Sequence, residues 1–293
     1  MTSETHQWPE NQRLKLVRIG IVFAAAALAL TCLPALARAA VVDCPGSGSC
    51  TVSNPFATIG TDSNSPDELD DWIFNGQDHL FSTRWAVRTG GVTDTLPTPS
   101  SATANDVTDT LAITTETDEF RFLITYVLGS DGMTISESVT LTNLTTAAAN
   151  YRVFATTDFD LAGVSGGQFG RFDATTRTFS QTDPSQPGLT ATWTANDPIS
   201  GWQMGQPSLA GLESLTNSSS PIGPADVSFA FSFDTNIAPQ QSATFSLTKA
   251  IAVPEPSSNL ILGFIAMLTV AAPGRSRGKR ASRNKHSKRI AKY

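Results

Sequence analysis

Apolar residues recur with a period of two along much of this chain. This period is clearest in EFRFLITYVLGSDGMTISESVTLTN, residues 119–143, where two alternating runs flank the turn sequence Gly129-Ser130-Asp131-Gly132. Successive side chains of a β-strand point to opposite faces of the sheet, so alternation favours strands with one buried face. A glycine-containing break between two such runs is typical of a β-hairpin. The sequence therefore predicts antiparallel strands here.

The same alternation recurs along the rest of the chain. It is seen in YRVFATTDFDLAG (151–163), GLTATWT (188–194), DVSFAFSFD (226–234) and ATFSLTKAIAV (243–253). Helical spacing occurs only in the short segment PSLAGLESLT, residues 207–216. Many short strands separated by turn residues indicate an antiparallel β-sandwich. The length of residues 40–252 allows either one sandwich of more than ten strands or two smaller ones.

Charge is strongly segregated along the 293 residues. Residues 40–252 contain seven basic and 23 acidic residues, a formal charge of −16, whereas nine of the 20 basic residues follow Pro273. A body this acidic repels phosphates, so the charge excludes a nucleic-acid-binding role for residues 40–252. The basic tail alone is suited to an anionic surface.

The N-terminus has the order of an export signal. Basic residues at 13, 15 and 18 precede an apolar run over 19–33, which is followed by small residues at Ala37 and Ala39. This pattern predicts a signal peptide over residues 1–39, cleaved by signal peptidase after Ala39, and export across the inner membrane. Cys44 and Cys50 then remain in CPGSGSC. Because export permits disulfides, and the pair lacks both zinc-site and redox-motif spacing, we expect them to form a structural disulfide.

The C-terminus, residues 253–293, combines three features. Pro254 and Pro256 keep the backbone around Glu255 extended, and neither has a backbone N–H to donate a hydrogen bond. The apolar run 260–272 follows; thirteen residues at about 1.5 Å each span about 20 Å, short of the roughly 30 Å hydrocarbon core. Basic residues then predict a cytoplasmic end. The first of them are Arg275, Arg277, Lys279 and Arg280.

This order of Pro-Glu-Pro, short apolar helix and basic cluster on an exported chain resembles the PEP-CTERM family of Gram-negative bacteria. The resemblance covers roughly the last 40 residues. It implies a sorting signal that a membrane enzyme, exosortase, recognises at Pro254, Glu255 and Pro256, a transient anchor in the inner membrane, and delivery to the cell surface or the exopolysaccharide of a biofilm. The chain departs from the family pattern in its 20-residue tail and in Pro273, which ends the apolar helix early.

Residues 40–252 contain few candidates for catalysis. His79 is the only histidine there, without a nucleophile elbow near it, so no catalytic residue is predicted. Asp158 and Asp160, two apart on a predicted strand, are expected to face the same side. Two like charges this close must be stabilised by water, by a hydrogen-bond donor such as Arg152, or by a cation. The candidate cation is calcium, which takes carboxylate oxygens as ligands. No other cofactor is expected.

The tryptophans leave two interpretations of the domain open. Trp72, Trp85, Trp193 and Trp202 either stack on sugars or pack in the core. A row of exposed tryptophans on one face would distinguish a carbohydrate-binding module from a purely structural domain. The sequence favours a non-enzymatic structural or adhesive surface protein, with a carbohydrate-binding module as the alternative and a secreted hydrolase third.

Overall fold

The computed structural model describes residues 42–44, 49–61, 68–89, 92–95, 99–205 and 215–253. The sequence predictions that fall on the termini lie outside these residues: the signal peptide with Ala37 and Ala39, the Pro254-Glu255-Pro256 motif, the apolar run, and the basic residues from Arg275. No helix within the described ranges is long and apolar enough to cross a membrane.

The described chain is mainly β, with 19 strands that pair only in antiparallel fashion and one 3-10 turn, Leu161–Gly163. The largest sheet has ten strands in the order β1-β8-β9-β10-β11-β19-β15-β14-β13-β17. Its strands are β1 (Val42–Cys44), β8 (Ser101–Asn105), β9 (Thr110–Glu116), β10 (Phe120–Leu128), β11 (Thr134–Asn143), β13 (Gln168–Asp173), β14 (Thr178–Thr182), β15 (Thr190–Ala195), β17 (Ile222–Ala225) and β19 (Ser242–Ala252).

Two smaller sheets complete the domain. The five-stranded sheet has the order β16-β18-β12-β6-β7, and the four-stranded sheet the order β2-β3-β4-β5. The strands of the first are β6 (Ser82–Thr89), β7 (Val92–Thr95), β12 (Ala149–Asp158), β16 (Gly201–Gly205) and β18 (Ser228–Ile237). Those of the second are β2 (Cys50–Ser53), β3 (Ala57–Thr61), β4 (Asp71–Phe74) and β5 (Gln77–Asp78).

The structure confirms the predicted hairpin. Strands β10 and β11 pair in register, with Ile124 opposite Val139, and Gly132 in the turn has a φ of 73°, which favours glycine. Residues alternate between buried and exposed along both strands. The other alternating segments form β12, β15, β18 and β19. Side chains alternate between the two faces of a strand whichever strand it pairs with, so the pattern predicts the strand without its partner.

The core lies between the ten-stranded and five-stranded sheets, an arrangement consistent with a β-sandwich. Aromatic rings from opposite sheets meet there: Trp193 lies 4.8 Å from Phe231 and Phe233 lies 4.9 Å from Phe245, centroid to centroid. Buried residues from all three sheets form one contiguous cluster. Strands of all three sheets therefore contribute to one shared core.

A disulfide and hydrogen bonds to the β10–β11 turn are among the contacts that join the four-stranded sheet to the ten-stranded one. Cys44 of β1 and Cys50 of β2 form a disulfide with Cα atoms 5.6 Å apart, which joins this sheet to the edge of the ten-stranded one. Trp72 of β4 is fully buried, and its indole Nε1 donates a 3.0 Å hydrogen bond to the carbonyl oxygen of Gly132 in the β10–β11 turn.

Candidate functional site

The outer face of the five-stranded sheet carries a depression of about 600 Å³. Strand alternation builds it, since β12 turns Val153 and Ala155 into the core and Arg152 outward. Register then places Arg88 of β6 and Asp234 of β18 on either side of Arg152. The lining residues are Arg88, Asn150, Tyr151, Arg152, Asp234, Thr235 and Asn236.

The polar side chains of this depression hold one another in place. Arg152 donates from Nε to Asp234 Oδ1 and from Nη2 to Asp234 Oδ2, the latter at 2.7 Å. This pairing, with a smaller contribution from Arg88, lowers the pKa of Asp234. Asn236 Nδ2 donates to Asn150 Oδ1 at 2.7 Å. Planar donor and acceptor groups fixed on adjacent strands thus face the solvent together.

A small apolar cluster borders the depression. Two residues along from Arg152, Phe154 is fully buried on the outer face together with Ala86 and Ala230, and Leu215 packs against this cluster. The Leu215 segment is positioned by Asn217, whose backbone N–H donates to the carbonyl oxygen of Trp202 in β16 and whose side-chain Oδ1 accepts from the backbone N–H of Trp202. The Leu215 segment thus covers one part of the outer face, whereas the part with Arg152 and Asn150 is open to solvent.

The second feature is a group of three carboxylates where β12 ends. One oxygen from each of Asp158, Asp160 and Asp226 lies within 4.8 Å of the others. Asp158 ends β12, whereas Asp160 belongs to the following turn, so the prediction that both lie on one strand is wrong, although their side chains do come together. Arg152, considered as their donor, bonds Asp234 instead.

Electrostatic conflict dominates this acidic group. Burial, followed by the charges of Asp226 and Asp160, raises the pKa of Asp158 from 3.8 to about 7. Burial and the charges of Asp226 and Asp78 also raise the pKa of Asp160. The guanidinium of the nearby Arg84 is already paired with Glu68 at 2.6 Å. Such a group relieves its repulsion by taking up a proton or by holding a cation, for which carboxylate oxygens suit calcium.

His79 lies buried next to the turn that carries Asp160. Its ring is buried, and Nδ1 accepts a 3.2 Å hydrogen bond from the backbone N–H of Ala162 in the turn that carries Asp160. Burial lowers its pKa despite the opposing charge of Asp78. The imidazole therefore fixes the turn beneath the acidic group.

The tryptophans do not form a sugar-binding row. Trp72, Trp85 and Trp193 are at most 3% exposed. Trp202 is partly buried and packs on Phe172 at 4.9 Å. Of the two alternatives that the sequence left open, these four residues take the packing in the core, because alternation turns them toward it and large rings fill the space between the sheets. The exposed aromatic beside the acidic group is instead Phe81, 60% exposed.

Sequence reasoning missed several of these residues. Asp226 precedes β18, and a signal existed: the acid stands immediately before an alternating run. Asp234 sits 82 positions from Arg152, so only the register of β12 and β18 reveals the pair. Lys249 occupies the same face of its strand as Phe245, Leu247 and Ile251, all of which are buried. The alternation of this run is the signal in the sequence for a buried lysine.

Comparison with known proteins shows the fold alone. No protein-family model and no curated protein matches the sequence. Among solved structures, the chain is similar to a bacterial glucoamylase complexed with acarbose, with a TM-score of 0.53 and 8% identity over 77% of this chain and 35% of the glucoamylase. The chain thus spans about a third of that protein's length.

Two further similarities have lower TM-scores. A galactose mutarotase-like protein from Lactobacillus casei matches with a TM-score of 0.44 and 10% identity, over 70% of this chain and 100% of that one. A copper-containing benzylamine oxidase from Hansenula polymorpha matches with a TM-score of 0.47 and 6% identity, over 69% of this chain and 59% of that one.

Proposed function

We propose that this protein is an exported, non-enzymatic surface protein whose β domain adheres to carbohydrate of the exopolysaccharide. In this proposal residues 1–39 are a signal peptide, residues 40–252 one β-sandwich, and residues 253–293 a PEP-CTERM sorting signal with a short membrane helix. Exosortase acts at Pro254-Glu255-Pro256 while the basic tail from Arg275 keeps the C-terminus cytoplasmic. The protein then reaches the cell surface or extracellular matrix.

The depression around Arg152 carries the adhesive part of the proposal. Its guanidinium, carboxylate and amide groups present hydrogen-bond donors and acceptors side by side, and sugar hydroxyl groups both donate and accept. The groups stand on paired strands about 4.8 Å apart and hydrogen-bond to one another. Because they are already fixed, they lose little conformational entropy when a ligand binds. A bacterial glucoamylase that is similar in fold over 35% of its own length was solved in complex with acarbose, which is compatible with this role.

Charge selects the kind of polysaccharide. Arg152 is neutralised by Asp234, and the whole domain carries a formal charge of −16, so a polyuronate is repelled over the rest of the surface. A neutral polysaccharide meets no such repulsion. We therefore expect neutral chains to bind better than acidic ones, and the difference to shrink as salt screens the charges.

Affinity electrophoresis tests this proposal. The purified domain is run in native gels that contain a neutral bacterial polysaccharide, a polyuronate, or none. We expect retardation in the neutral gel, reduced about tenfold or more in apparent affinity by Arg152→Gln, because a charged hydrogen-bonding group contributes about 1.5–3 kcal/mol. Arg121→Gln is the matched control, since Arg121 makes a comparable exposed pair with Glu116 at 2.6 Å on the other sheet. Unchanged mobility across the whole panel, or equal loss in both variants, would contradict the proposal.

A further inference from the structure

A lysine and a glutamate are buried together in the core. The side chains of Lys249 on β19 and Glu137 on β11 are both 0% exposed, and Lys249 Nζ contacts Glu137 Oε1. Both lie on the inner face of the ten-stranded sheet, where their neighbours along the strands are Ile135, Val139, Leu247 and Ile251. This pair takes no part in either surface feature described above.

Strand register enforces their contact. Lys249 stands opposite Ile135, and Glu137 stands opposite Leu247, so the two are diagonal neighbours on one face of a paired ladder. The flanking strands place Trp193 opposite Lys249 and Tyr126 opposite Glu137. The two long side chains are thus held side by side between fully buried aromatic residues.

The surroundings do not satisfy an ion pair. Glu137 Oε2 is buried without a hydrogen-bond partner, and Nζ lies 5.0 Å from the centre of the Trp193 ring. A buried ion pair needs further hydrogen bonds to offset the loss of water from both charges. Burial accordingly lowers the pKa of Lys249 well below its ordinary value. Transfer of a proton from ammonium to carboxylate leaves a neutral amine in contact with a carboxylic acid.

We propose that Lys249 and Glu137 condense into an intramolecular amide. The lone pair of Nζ attacks Cδ of Glu137 and forms the C–N bond; the C–O bond then breaks, and the hydroxyl group leaves with a proton from nitrogen as one water molecule. No oxidant or co-reactant enters the balance. Fixed contact supplies the effective concentration that a reaction between separate side chains lacks. The product removes both charges from the core.

The amide would join the final strand of the domain to its neighbour β11. Strand β19 ends at Ala252, directly before the predicted sorting signal, so any pull on the C-terminus reaches this strand first. A covalent bond from Lys249 to Glu137 closes a loop of more than 100 residues and keeps β19 in place. The inference stands independently of carbohydrate binding, because it rests only on the core pair.

Peptide mapping tests whether the amide between Lys249 and Glu137 forms. The full-length protein is purified, reduced, alkylated, denatured and digested with trypsin, which cleaves after free lysine but not after acylated lysine. We expect peptide 122–152 to be covalently attached, less one water, to a peptide that starts at Thr178 and continues through Lys249. Fragment ions should place the link at Glu137. Recovery of separate peptides 122–152 and 178–249 at their unmodified masses would overturn the proposal.

Two variants and one folding control sharpen the result. Lys249→Met retains an unbranched side chain of similar length and should release peptide 122–152 in free form. Glu137→Leu should restore tryptic cleavage after Lys249. Wild-type chain kept in denaturant from synthesis onward should also lack the link, because only the folded sheet brings the two groups together. A link in that denatured sample would assign the bond to sample handling and would equally overturn the proposal.

Discussion

Replacing Asp158 by asparagine tests the electrostatic account of the acidic group. Asp158 lies with Asp160 and Asp226, and its carboxyl group has its pKa raised from 3.8 to about 7, first by burial and then by its acidic neighbours. The folded protein therefore holds this proton up to about pH 7, whereas the unfolded chain releases it near its ordinary pKa. Between those values the folded state binds more protons, so the free energy of unfolding falls as pH rises, and it levels off above pH 7.

The magnitude follows from the displacement of the pKa. About three pH units at 1.36 kcal/mol each give about 4 kcal/mol. Asp158 is only half-buried, so solvent screening reduces this, and we expect about 2 kcal/mol. Asp158→Asn removes the charge, so its free energy of unfolding should exceed that of wild type by about 2 kcal/mol at pH 8 and match it near pH 4.

Urea denaturation at both pH values measures the difference between variant and wild type, which cancels the other titrating groups. Asp173→Asn serves as the control of opposite sign, because backbone N–H groups donate to Asp173 and lower its pKa; it should lose stability at pH 8. An Asp158→Asn protein no more stable than wild type at pH 8 would refute the reasoning. If calcium stabilises wild type at pH 8 and EDTA reverses this, while Asp158→Asn does not respond, a cation rather than a proton neutralises the group.

Three further predictions concern the tail, the disulfide and the small sheet. The intact mass of the surface form should lack the residues after Leu260, and a mass that includes them would refute tail removal. Replacing both Cys44 and Cys50 by serine should lower the free energy of unfolding by about 2 kcal/mol in urea titrations, through the freer unfolded chain; unchanged midpoints would contradict this. Trp72→Phe leaves the carbonyl of Gly132 without its donor and should cost about 2 kcal/mol, read from the same titration, with a smaller loss indicating that water replaces the indole.

The strands could be predicted from sequence because alternation is a local property. The pattern of 119–143 gave both strands of the hairpin and their turn, and register followed from the short connection. The order of strands could not be obtained in this way. β19 lies between β11 and β15, more than 50 residues from either partner's opposing residues, and many strands offer a similar apolar face. Pairing of distant strands depends on packing of the whole core, which periodicity does not encode.

The same distinction explains the candidate sites. Alternation did indicate which side each residue takes, so the outward position of Arg152 and the inward position of Lys249 were both available from the sequence. Their partners were not, because Asp234 and Glu137 lie 82 and 112 residues away and are selected by strand register. The role of the tryptophans was left open by the sequence for the converse reason. An aromatic residue suits a sugar-facing surface and a sandwich core equally well, and only the register of the strand that bears it decides between the two.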